Sequence, residues 1–123
     1  MFEISVMMDF SAAHNLRGYK GKCEKLHGHN WQVEAVFGTE ELNKTAMVMD
    51  FNDARRMLKQ VLKYFDHNYI NDTDYFKKVN PTSENIAKFI FGRLKLKAKK
   101  YKCRVLKVNV WETSRSRAAY YEQ

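Results

Sequence analysis

Within "CEKLHGHNW", residues 23 to 31, a thiol, a carboxylate and two imidazoles fall inside seven positions. His27 and His29 stand two apart. Alternate residues of a β-strand project from one face, roughly 6.5 Å apart along the chain, so both rings can reach one ion at about 2.0–2.1 Å. A third imidazole must come from a neighbouring strand. His14 ends an alternating segment on its apolar side, and an antiparallel pairing would set it beside the start of the second segment. Three neutral histidines with an open fourth position are the donor set of a catalytic zinc. Cys23 is the rival third ligand, but it lies outside the alternating stretch and would leave His14 without a role.

Three further places carry side chains with chemical potential. Glu112 continues the apolar series Leu106, Val108 and Val110, and burying a carboxylate is costly unless it is partnered. The plainer alternative is a strand-end glutamate turned to solvent. Asp66 and His67 adjoin at a helix end and open "DHNYINDTDYFKKVN". A connection of about fifteen residues in a small domain is usually functional or flexible. Thr82 and Ser83 follow Asn80-Pro81 and are explained equally well as helix caps.

The elements that must position these groups can be read from periodicity. Phe2, Ile4, Val6, Met8, Phe10, Ala12 and His14 share one face of a first strand; His27, His29, Trp31, Val33, Ala35 and Phe37 share one face of a second. Met47 to Met49 are expected to add a short strand. "NDARRMLKQVLKYF" reads as a helix with Asp50 and Asn52 at its start, Asn52 being the expected N-cap. Its inward stripe is Ala54, Leu58, Val61, Leu62 and Phe65. A second helix starts near Thr82 and buries Ile86, Phe89, Ile90 and Leu94. "RVLKVNVWET" is the last long strand, and the tail "AAYYEQ" could add paired residues. The order implies one α+β domain, an antiparallel sheet with both helices on one face.

The totals fit that reading and limit others. A chain of 123 residues supports one core. No run of about 18 apolar residues suggests a membrane span, and the alternating N-terminus is unlike a signal peptide. The expected location is cytoplasmic, where Cys23 and Cys103 would be reduced. The net charge of +8 suits an anionic partner. The basic run "RLKLKAKKYKCR" reads more simply as the solvated end of a helix. A basic RNA-binding module with a structural metal is the rival from another class, but RNP aromatics and zinc-finger spacing are missing.

"FSAAHNL", "CEKLHGHNW", "FDHNYIN", "PTSENIA" and "WET", in this order, resemble the 6-pyruvoyltetrahydropterin synthase family. The resemblance runs from about Phe10 to Glu112 and is strongest to bacterial 6-carboxy-5,6,7,8-tetrahydropterin synthases of queuosine biosynthesis. It implies the tunnelling fold: a four-stranded antiparallel sheet with two helices, trimerising into a barrel and pairing into a homohexamer with active sites between subunits. It implies Zn2+ on His14, His27 and His29, a catalytic thiol at Cys23, a catalytic Asp66–His67 pair, and Glu112 gripping the pterin edge, with Thr82 and Ser83 assisting. The implied substrate is 7,8-dihydroneopterin triphosphate, converted to 6-carboxytetrahydropterin with release of acetaldehyde and triphosphate. Arg17, Lys20, Lys22, Arg115 and Arg117 are candidates for the triphosphate. Glu24 complicates the subclass, because some relatives use the glutamate of an E-x-x-H-G-H motif as acid/base group and yield 6-hydroxymethyl-7,8-dihydropterin. The pyruvoyl-forming activity is a further alternative; its animal members have a longer gap between cysteine and H-G-H.

Overall fold

A computed structural model of the chain describes residues 1–18 and 25–123. Strands β1 (Phe2–His14) and β2 (His27–Thr39) are followed by helices α1 (Phe51–Leu62) and α2 (Ser83–Ala98), then by strands β3 (Arg104–Thr113) and β4 (Ser116–Tyr120). The sheet runs β1-β2-β3-β4 with every neighbour antiparallel. Both helices cover the face that carries Val6, Phe10, Trp31, Val33, Val108 and Val110. The α+β two-layer expectation therefore holds. Among the described residues no helix is long and apolar enough to cross a membrane.

Alternation does what it promised in β1 and β2. Their register is unbroken from Phe2 opposite Thr39 to His14 opposite His27, and no residue is inserted to flip a face. In β3 the expectation fails at one place. Lys107 pairs with Val36 and Val105 with Phe37, so Leu106 is the extra residue of a bulge. Val105 is buried in its stead. Leu106 turns to the helix-free face, where a Cβ built on Gly38 would stand 2.5 Å from Leu106 Cδ1. A glycine suits that close approach.

Residues 47 to 49 are not a strand. The Asn43 side-chain carbonyl accepts from the backbone N–H of Thr45 (3.0 Å) and Met47 (3.1 Å), and Ala46 takes a positive φ of 63°. That side chain folds the segment into a turn, which competes with strand pairing, while Val48 and Met49 are still buried. The cap of α1 also shifts: Asp50, rather than Asn52, accepts from Asn52 N–H at 2.7 Å. At α2 the Thr82 hydroxyl accepts from Asn85 N–H at 3.1 Å. This helix buries Ala87, Phe91 and Ala98 beyond the expected stripe, because it packs on β3, β4 and α1 together. The C-terminal tail contributes a full fourth strand.

Candidate functional site

The unbroken β1–β2 register sets His14 opposite His27 and Ala12 opposite His29, so the three imidazoles meet at one end of the sheet. Ring centroids are separated by 4.6 Å for His14–His27, 5.3 Å for His14–His29 and 4.6 Å for His27–His29. Trp31 floors the group, 4.7 Å from the His14 ring, and its indole N–H donates to the Ala12 carbonyl at 3.2 Å. β3 brings in Glu112. One ligand atom from each of His14, His27, His29 and Glu112 lies within 4.8 Å of all the others.

Two of the three rings are oriented from outside the cluster. His14 Nδ1 lies 2.9 Å from the Pro81 carbonyl, and His27 Nδ1 lies 2.9 Å from the Lys25 carbonyl. A carbonyl can only accept, so both Nδ1 atoms donate and each Nε2 is left with a lone pair. Outer partners of this kind fix the tautomer of metal-binding histidines. The Nε2 atoms of His14 and His29 are buried and have no hydrogen-bond partner. An unsatisfied buried polar atom costs about 1–3 kcal/mol. Two of them aimed at a common point, beside a carboxylate, are what a bound cation would satisfy. Burial lowers the pKa of His14, an effect partly offset by the Pro81 carbonyl and the Glu112 charge. The ring is thereby kept neutral, the form that ligates.

Glu112 is closer to the histidines than the sequence suggests. Its Oε1 is 3.3 Å from His29 Nε2 and its Oε2 is 3.7 Å from His14 Nε2. The three expected histidines thus come together, with the Glu112 carboxylate standing beside them. The phase of Glu112 with Val108 and Val110 gave its face; the histidines' position on the neighbouring strand gave its partners.

Asp66 and His67 do not join this group within the chain. They are stitched to the outer edge of β1: Ser11 N–H donates to Asp66 Oδ1 at 3.0 Å, and His67 N–H donates to the Ser11 carbonyl at 2.6 Å. Ala13 N–H then donates to the Asn68 carbonyl at 3.2 Å. To make this turn His67 adopts a φ of 60°, a conformation uncommon outside glycine. Its side chain is 82% exposed, with Asp66 Oδ2 3.7 Å from Nε2. It borders an open cavity of about 540 Å³ together with Ser11, Gly28, His29 and Asn30.

Thr82 and Ser83 start α2 directly after Pro81, whose carbonyl holds His14. The Thr82 hydroxyl is engaged as a cap. Arg17 is also committed, its guanidinium donating to the Phe76 carbonyl (2.5 Å) and the Val79 carbonyl (2.8 Å). It closes a loop, and its assignment to triphosphate is not supported by its contacts. Arg115 is exposed in the β3–β4 turn, and Arg117 donates to Asn109 Oδ1 at 2.6 Å on the helix-free face. Cys23, Glu24, Lys20 and Lys22 lie outside the described residues.

Two positioning residues escaped the sequence reading. Asn71, which is buried, accepts from Asn15 N–H (3.0 Å) and donates to the Asn15 carbonyl (2.8 Å). Asn80 does the same to Arg17, at 2.9 Å and 3.1 Å. Each amide imitates a strand partner for the backbone leaving β1 toward Cys23. Asparagines in an unusually long loop were the only signal available.

A model of the family described as 6-pyruvoyl tetrahydropterin synthase matches residues 3–123. A Haemophilus influenzae protein named 6-carboxy-5,6,7,8-tetrahydropterin synthase is 33% identical over 144 aligned positions, covering 99% of this chain and 100% of the relative. A Synechocystis protein of the same name is 37% identical over 99 positions, covering 76% and 75%. The Caenorhabditis elegans 6-pyruvoyl tetrahydropterin synthase structure superposes with a TM-score of 0.84 at 25% identity, over 99% of this chain and 96% of that one. The match runs along nearly the whole chain, on the same sheet-and-two-helix frame: the chain belongs to the 6-pyruvoyl tetrahydropterin synthase family, a family of tetrahydropterin-forming enzymes.

Proposed function

We propose that the chain is a zinc-dependent 6-carboxy-5,6,7,8-tetrahydropterin synthase of queuosine biosynthesis, acting in the cytoplasm. It converts 7,8-dihydroneopterin triphosphate to 6-carboxytetrahydropterin with release of acetaldehyde and triphosphate. The observation that carries the reading is the convergence of His14, His27, His29 and Glu112, with two buried imidazole nitrogens unpartnered. The names of the Haemophilus and Synechocystis relatives support the choice of product.

Zinc held by His14, His27 and His29 would supply Lewis acidity to oxygens of the substrate side chain. The protein's own residues bind and move protons. Glu112 accepts from the adjacent N–H and amino group on the pterin edge, with Thr82 and Ser83 beside it. Cys23, as thiolate, removes a proton from the side chain. Asp66 orients His67 and stabilises its imidazolium during a second transfer. The His67 side chain is largely exposed at the β1 edge and is not among the four residues whose ligand atoms converge. It serves a site completed by another subunit, the role the homohexamer fills.

Product identification tests the assignment. With 7,8-dihydroneopterin triphosphate as substrate, wild type yields 6-carboxytetrahydropterin by mass spectrometry and Cys23→Ala does not. Full carboxy-product from Cys23→Ala would refute it. A second reading rests on "CEKLHGH", where Glu24 stands three residues before His27: cleavage to 6-hydroxymethyl-7,8-dihydropterin. That product, lost selectively in Glu24→Ala, would establish it. A pyruvoyl product would instead move the chain to the third activity of the family.

A further inference from the structure

The net charge of the chain is concentrated in one place. Residues 93–107 hold eight of its 22 Lys and Arg residues and none of its 14 Asp and Glu residues, so the two signs balance elsewhere. A helix end explains only part of this. The dipole of α2 favours cations in its last turn, a place filled by Lys95 and Lys97. The cations run on past the helix, through Lys99 and Lys100, and Arg56 of α1 joins them in lining a shared cleft.

That cleft has a volume of about 340 Å³ and lies between α1 and the C-terminal end of α2. Asp53, the acidic residue lining it, is already held by Arg56 at 2.7 Å. Lys97, Lys99 and Lys100 form no ion pair among the described residues, whereas Lys95 and Arg104 to either side are paired with Glu122 and Glu40. Three unneutralised ammonium groups therefore border one concavity. Tyr101 supplies a half-buried aromatic wall, with Lys100 Nζ 5.2 Å from its ring centroid. Helix α2 has 16 residues and begins beside the Pro81 carbonyl that holds His14. At 1.5 Å per residue its basic end lies roughly 24 Å from the histidines. The cleft is thus separate from the histidine cluster.

We propose that the α1–α2 cleft is a docking site for single-stranded nucleic acid, with phosphates lying along Lys97, Lys99 and Lys100 and one base resting against Tyr101. Cations that track a backbone beside an aromatic ring hold unpaired strands, because every base has a face that stacks. A duplex hides those faces. A bilayer cannot enter a cleft between two helices, and Leu96, 65% exposed, is the one large apolar side chain that the described segment 93–107 offers for insertion. Recognition of this kind does not depend on the catalytic reading above.

Fluorescence anisotropy of a labelled uridine dodecamer, titrated with the whole protein, tests the site. Affinity should fall with salt, with a log–log slope of about −2 for three phosphates at about 0.7 each. Lys97→Gln/Lys100→Gln should weaken binding about tenfold and flatten the slope. Lys77→Gln/Lys78→Gln removes equal charge from an exposed loop and should leave binding unchanged. Tyr101→Leu should weaken binding about fivefold or more and keep the slope, while Tyr101→Phe binds as wild type. Equal losses from the two lysine pairs, or wild-type affinity in Tyr101→Leu, would overturn the proposal. So would competition by inorganic triphosphate at equal phosphate concentration, tighter binding of a duplex, or capture by phosphatidylserine vesicles without binding of the dodecamer.

Discussion

His14 is gripped by the Pro81 carbonyl on one nitrogen and offers a buried, unpartnered lone pair on the other. His27→Ala and His29→Ala should each bring zinc content from about one per chain to near zero after dialysis; stoichiometric metal in either variant would contradict the donor set. The pKa of His14 is depressed in the folded chain, chiefly by burial. As pH falls through the ordinary imidazole range the unfolded chain takes up the proton first, so acid favours unfolding. Metal-stripped protein should keep its full stability above about pH 6.5 and lose it progressively below, in melts across that pH. A Tm that rises toward acid would show the opposite shift. The two thiols should also separate. Burial raises the pKa of Cys103, leaving less thiolate at any given pH. Alkylation mapped by mass spectrometry near neutral pH should mark Cys23 before Cys103; equal rates would remove the case for an activated Cys23.

Between elements, the loop from Asp66 to Pro81 does work that periodicity cannot reveal. It edges β1 at Ser11 and Ala13, holds His14 through Pro81, and clamps the backbone of Asn15 and Arg17 through Asn71 and Asn80. Tyr69 adds its hydroxyl to the Asn15 amide oxygen. Asn71→Ala would strip two hydrogen bonds from backbone groups that have no strand partner, a loss of about 1–3 kcal/mol in urea unfolding. It should reduce turnover beyond that stability loss, because the backbone leading to Cys23 loses its anchor. Unchanged activity and stability would make the clamp ornamental. The sequence could mark this loop as unusual only by its length, since side-chain amides that imitate strands leave no repeat in the residue pattern. The bulge at Leu106 was hidden for a related reason. Val105 and Leu106 are both apolar, and only the pairing with Phe37 decides which one faces the helices.

At the scale of the molecule, the sheet ends in β1 and β4, each bonded to a neighbour on one side only. The 66–69 segment covers β1 at Ser11–Ala13, while the rest of that edge has no strand beside it among the described residues. Exposed edges invite pairing with another chain. β1 and β4 run antiparallel to each other in the sheet order, so copies can join edge to edge without reversing direction. Light scattering should give a mass six times that of the chain. Mixing inactive His27→Ala chains with inactive His67→Ala chains should restore activity if the site draws on two subunits; a fully active monomer would refute shared sites.

The sequence by itself determined the two long strands, the faces of both helices and the trio His14, His27 and His29, because a strict two-residue period fixes which side chains share a surface. It also named Asp66, His67 and Glu112, through their types and their motifs. Only the tertiary structure decided that Glu112 stands among the histidines while Asp66 and His67 stand apart from them. Those relations depend on which strand lies beside which and on where one residue is skipped in a ladder, and such information is absent from any local period.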